Sequence, residues 1–272
     1  MLLVRIARSA VLTVLTAASA LTIGGCGSSN RSAQSVSSTA SSITAQPSLV
    51  DCANVKIGLG ALEDQHVRCV LSIKGMTLEV SSDPAWSFSL RDNSAKGAVV
   101  QQFSEPTDEI GETAVAPLLQ DIDNSGTPVL LVVTGRGGTG GEPMAVWRLT
   151  GQPPRFVRAG ELFGFRRFFV SAEGFFGNYS HSSAVSGTVT LYRWVDDKLT
   201  TVAVLDTQAA AAPDDTQRRW VHNGEVLCAL SEDDYPAGAR VQREAALRAA
   251  GIDPATAQDR FCTQPWVASI YR

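Results

Sequence analysis

Signatures of chemistry are scarce in this chain. It has only three histidines and five cysteines in 272 residues. No Cys-x-x-Cys pair and no His/Cys spacing suits zinc. No Gly-x-Ser-x-Gly elbow presents a serine nucleophile. No Gly-Lys-Ser/Thr closes a phosphate-binding loop. Basic charge is also short, with 23 Lys and Arg against 27 Asp and Glu. That balance argues against nucleic acid or an anionic lipid surface as the main partner. A long apolar run is missing as well. Residues 10–23 (AVLTVLTAASALTI) form a stretch of about 14 residues, short of the roughly 20 that span a bilayer.

That short run has the length of a signal-peptide core. Arg5 and Arg8 precede it and are the only charges before position 26. They form a positive n-region without a twin arginine, which favours the general secretory route. Residues 21–26 (LTIGGC) place Leu21 and Ile23 ahead of two glycines and Cys26. An apolar residue, two small residues and then cysteine resembles the lipobox of bacterial secreted lipoproteins. Arginine in excess of lysine, with much alanine and glycine, resembles proteins of GC-rich actinobacteria. The lipobox resemblance implies removal of residues 1–25 and a diacylglyceryl group on the Cys26 sulfur, with acylation (palmitate or similar) of the new amine. It implies an anchor on the outer face of the cytoplasmic membrane. One acyl chain holds only marginally, at about 0.8 kcal/mol per buried CH₂, and two hold firmly. Loss of Arg5 and Arg8 with the leader moves the net charge from −4 to −6.

Residues 26–48 follow as a tether. From 27 to 48 the chain is rich in Ser, Ala and Thr, with Arg31 as its one charge. Such a stretch cannot bury enough apolar surface to offset ordering entropy. As a coil it would hold the domain about 25 Å from the anchor. Residues 49–272 form the extracytoplasmic domain, with about 220 residues for folding, enough for one large β domain or two small ones.

Setting Cys26 aside leaves Cys52, Cys69, Cys228 and Cys262, an even number in an exported chain. Four cysteines allow three pairings. The local pairs Cys52–Cys69 and Cys228–Cys262 are favoured, one at each end of the domain; free buried cysteines are the other reading.

The domain reads as mainly β, a sandwich or a partial, propeller-like repeat of hairpins, with a short α-helical C-terminus. Residues 85–90 (AWSFSL) alternate, and residues 98–103 return as a strand after a turn. Residues 129–133 (VLLVV) are a continuous apolar run, the signature of a fully buried strand. Two hairpins follow: 144–150 with 155–162, and 188–195 with 198–205. Trp147-Arg148 and Tyr192-Arg193 mark a period near 45 residues, as propeller blades do. Closure usually needs four blades, and only two or three units are visible. Residues 239–250 (ARVQREAALRAA) predict a helix stopped by Gly251. Asp253-Pro254 predict the start of a second.

Candidate sites are sparse. Residues 121–126 (DIDNSG), followed by a strand, resemble the loop-then-strand unit of FG-GAP and VCBS-type repeats in a single copy. The resemblance implies calcium ligands at Asp121, Asp123 and Ser125. The later carboxylates of a calcium loop are absent here: position nine is Val129 and position twelve is Val132. The alternative is a polar turn in which Asp and Asn bond local amides. Residues 135–140 match GxGxxG, but Gly141, Glu142 and Pro143 follow instead of a helix, so a loop between strands is expected rather than a dinucleotide site. In 163–170 (FGFRRFFV), with Arg155 and Arg158 nearby, aromatic rings beside guanidinium groups could hold sugars or lipid headgroups. A strand with buried Phe and exposed Arg is the plainer reading. His181 sits between serines in a polar stretch, and Asn178-Tyr179-Ser180 is a sequon. His66 and His222 complete the histidines.

No acid, base or metal set can be assembled from these residues. The expected function is a non-enzymatic binding or interaction module on the cell envelope, its partner a protein, glycan or lipid. The alternatives are an envelope hydrolase acting on glycan or lipid, and a structural or antigenic lipoprotein without a ligand.

Overall fold

Apolar residues at period two dominate the chain beyond residue 66, and that pattern builds sheets. The computed structural model describes residues 49–57, 66–82, 85–107, 115–135, 137–210, 219–232 and 239–272. These lie in the unit Pro47–Arg272. The expected leader, Cys26 and tether fall outside the described residues.

Three antiparallel sheets form in chain order. The first is a meander of β1 (Arg68–Ile73), β2 (Met76–Ser81), β3 (Trp86–Asp92) and β4 (Ala98–Glu105). The second is a meander of β5 (Leu118–Gln120), β6 (Val129–Val133), β7 (Glu142–Thr150) and β8 (Arg155–Gly164). In the third, β9 (Phe168–Val170), β10 (Phe176–Ser183), β11 (Ser186–Val195) and β12 (Lys198–Ala209) again run side by side. There β14 (Val226–Leu230) pairs with β12, and β13 (Val221–Asn223) forms the edge. The β7–β8 and β11–β12 hairpins are therefore equivalent strands of successive units, which explains the 45-residue period. Asp196 and Asp197 turn the second hairpin with positive φ at both positions, 48° and 60°. That geometry matches the twist of the flanking strands.

The second sheet lies between the other two. All five residues of β6 are buried. Leu130 and Val132 pack with Leu78, Trp86, Phe88 and Leu90 of the first sheet. Val129, Leu131 and Val133 pack with Phe176, Tyr192 and Trp194 of the third. An antiparallel strand covered on both faces needs apolar residues at every position, hence VLLVV. Each fully buried Leu or Val there stabilises by about 1.5–3 kcal/mol. Side chains also bridge the sheet edges. The Gln101 amide accepts from Phe156 N–H at 2.7 Å and donates to its carbonyl at 2.8 Å. It supplies across the gap what a neighbouring strand would supply.

Both ends of the stack are finished. On the first sheet, Thr77, Glu79, Ser87, Ser89 and Arg91 alternate with the buried residues, and Arg91 pairs with Glu79 at 2.8 Å. A polar outer face of this kind suits a terminal repeat. On the third sheet, α1 (Ala239–Ala249), α2 (Ala257–Cys262) and a 3-10 turn at Val267–Ser269 cover the outer face. Leu247, Phe261, Val267 and Ile270 pack there with Val189, Leu191 and Val202. A further blade would need that face, so the helical tail ends the array.

The α1 helix stops where expected. Gly251 has φ 76°, its N–H bonds to Arg248, and Ile252 N–H reaches back to the Leu247 carbonyl. This is a Schellman closure, completed by Ile252 and Leu247 sharing the same core. The second helix starts later than the sequence suggests. Asp253 accepts from Ala255 N–H at 3.0 Å and so caps a turn, and α2 begins only at Ala257.

Cys52 is bonded to Cys69, and Cys228 to Cys262, the two local pairs. They close loops with sequence separations of 17 and 34. In the chain-entropy account these contribute about 3 and about 4 kcal/mol. The first ties the N-terminal 3-10 turn at Cys52–Asn54 to β1. The second ties the helical tail to β14. Among the described residues no helix is long and apolar enough to cross a membrane.

Candidate functional site

The acidic loop between β5 and β6 folds as a polar turn held by its own carboxylates. Asp121 Oδ2 accepts from Gly126 N–H at 2.7 Å, and its Oδ1 accepts from Ser125 N–H at 3.2 Å and Asp123 N–H at 3.4 Å. Asp123 Oδ1 accepts from Ser125 N–H at 3.1 Å. Its Oδ2 accepts from the Trp194 indole at 2.6 Å. Ser125 Oγ accepts from Thr127 N–H. Burial alone would raise the Asp123 carboxyl, but the bonds from Ser125 and Trp194 outweigh it and hold the group below its ordinary range. Asp121, Asp123 and Ser125 are thus brought together, each already serving amide or indole donors. Among the described residues no group of three or more His, Cys, Asp or Glu side chains is placed to hold a metal. Trp194 is the partner that sequence reasoning missed, because it lies in another sheet.

The glycines of the GxGxxG stretch have a steric role. A Cβ on Gly137 would stand 2.8 Å from Phe163 Cζ and 2.9 Å from the Gly141 carbonyl oxygen. One on Gly141 would stand 2.9 Å from the same ring. Gly137 N–H bonds to the Gly141 carbonyl at 2.7 Å, closing the loop. The loop therefore clasps the Phe163 ring, which is 46 % exposed at the end of β8. Thr139 Oγ1 donates to the His181 carbonyl at 2.9 Å and ties the clasp to the third sheet.

The four arginines between residues 155 and 167 have structural partners. Arg166 pairs with Glu142 at 2.9 Å. Arg167 lies over Phe169 and donates to Ser269 and to the Arg272 carbonyl. Arg155 donates to the Val100 carbonyl. Arg158 makes a two-pronged bond to Glu105, with Nε to Oε2 at 3.0 Å and Nη2 to Oε1 at 3.1 Å. Glu105 has a side chain only 3 % exposed and also accepts from the Trp147 indole at 2.9 Å. These bonds, the one to Glu105 foremost, strengthen the hold of Arg158 on its proton. The FGFRRFFV segment is thus a strand end whose cations stitch sheets and tail together.

His181 Nδ1 lies 3.0 Å from Tyr179 Oη. Ser180 Oγ instead meets Thr188 Oγ1 at 2.9 Å, so no serine–histidine pair forms there. Tyr179 is buried, which with Tyr271 beside it raises its phenol well above the ordinary value. Gly187 leaves room for that phenol: a Cβ there would lie 2.6 Å from its oxygen. The sequon asparagine, Asn178, is 1 % exposed and donates to the Phe163 and Phe165 carbonyls, so its amide is inside the protein. His66 precedes β1 of the first sheet, and His222 lies in β13 of the third.

A cleft of about 360 Å³ lies between α1, the turn at Asp253 and the end of β14. Arg219, Arg240, Arg243 and Arg248 border it together with Glu232 and Glu244. Arg240 and Arg248 flank Glu244 at 3.0 and 2.8 Å and lower its carboxyl. Arg243 donates to the Ser231 carbonyl at 2.8 Å. Its volume falls in the range of small-ligand sites, but its walls are charged where such sites are mostly apolar. No protein-family model matches the chain, and no curated protein and no solved structure matches it either.

Proposed function

We propose that this chain is a lipid-anchored protein of the bacterial cell envelope whose β domain serves as a non-enzymatic interaction module. Cys26 is the acylated residue, residues 27–48 are the tether, and the domain stands on the outer face of the cytoplasmic membrane. The observation that carries the reading is the run LTIGGC at the end of an apolar segment too short to span. The two disulfides support it, since such bonds persist in oxidising, extracytoplasmic compartments. The structural partners of Asp121, Asp123, Arg158, Arg166 and Arg167 favour an interaction surface over a catalytic cleft.

The test is metabolic labelling with radioactive palmitate in a bacterial host that processes lipoproteins, followed by membrane fractionation. The wild-type chain should carry label and sediment with membranes. Cys26→Ala should lose the label and accumulate with its leader uncut. Labelled, processed Cys26→Ala protein in the membrane fraction would overturn the anchor. An unlabelled wild-type chain with normal cleavage would mean an ordinary signal peptide.

A further inference from the structure

We draw no further inference here: the strongest candidate, the arginine-bordered cleft between α1, the turn at Asp253 and the end of β14, is lined by Arg219 and Glu232, which directly adjoin residues 211–218 and 233–238 outside the described residues, and its guanidinium groups already meet Asp259, Glu244 and the Ser231 carbonyl, so nothing in the structure shows what occupies it.

Discussion

Glu105 offers the sharpest test of how the first two sheets are held together. Its carboxylate is 3 % exposed and takes bonds from Trp147 and Arg158, both in the second sheet. Glu105→Ala leaves the half-buried indole N–H without its acceptor, which costs about 1–3 kcal/mol. It also strips Arg158 of its main partner. That side chain is 38 % exposed, so water can replace the carboxylate, and this part costs only about 1 kcal/mol. The sum is about 3 kcal/mol, or about 6–12 °C in Tm for a domain of this size. Glu105→Gln keeps an acceptor for Trp147 and should cost about 1 kcal/mol. The assay is urea unfolding of the chain from residue 27 onward, run on a double-mutant cycle with Trp147→Phe. In the Phe background Glu105→Ala should cost about 1–2 kcal/mol less, because the stranded N–H is gone. A cost below 1 kcal/mol for Glu105→Ala, or no coupling to Trp147, would refute this account of the sheet junction.

The clasp around Phe163 gives a second cycle. Gly141→Ala should cost about 1–3 kcal/mol through its contact with the ring and almost nothing in a Phe163→Ala background. Gly137→Ala should stay costly in both, because its Cβ also meets the Gly141 carbonyl; equal rescue of the two in thermal melts would rule out the clasp. Calcium up to about 1 mM should leave Tm unchanged, since the carboxylates of Asp121 and Asp123 already serve amide and indole donors; a rise of several degrees would show that the loop takes the ion. Glu173 joins the helical tail to the third sheet through Arg260 at 2.6 Å and Gln264 at 2.9 Å. Burial would raise its carboxyl, but those bonds prevail and hold it below 4.5. A carboxyl lowered in the folded state stabilises above its unfolded value, and that stabilisation is lost as pH falls through the folded value. Glu173→Gln should therefore lower stability at pH 7 and flatten the acid limb below about pH 4.5, and an unchanged limb in pH-dependent melts would exclude this role.

Local features of the fold were legible because neighbours in sequence determine them. Five apolar residues in a row at 129–133, mostly β-branched and opened by Pro128, read as a strand covered on both faces, and all five are buried. Gly251 reads as a helix stop because the bonds that need its positive φ run to Arg248 and Leu247. The disulfides follow from pairing each cysteine with its nearest partner. The start of α2 was missed by a few residues because Asp253 can cap either a turn or a helix, and its bond to Ala255 closes the turn. The Gly-rich loop lies between strands, as the Gly141, Glu142 and Pro143 after it imply, but its purpose depends on Phe163, beyond an entire hairpin.

The repeat shows most clearly where sequence reading stops. Trp147 on β7 and Trp194 on β11 each donate an indole N–H to a carboxylate of the preceding sheet, at 2.9 and 2.6 Å. The role recurs from unit to unit, but the acceptor does not keep its place. For Trp147 it is Glu105, at the end of a strand; for Trp194 it is Asp123, in the loop between β5 and β6. A period of 45 residues aligns Trp147 with Tyr192, two residues before Trp194, and cannot reveal the acids, since only the stacking of the sheets brings each pair within reach. The same geometry decided the fate of DIDNSG, whose second aspartate faces an indole from the neighbouring sheet. The loop that resembles a calcium loop is thus also a joint between two sheets, through the bond from the Trp194 indole to Asp123.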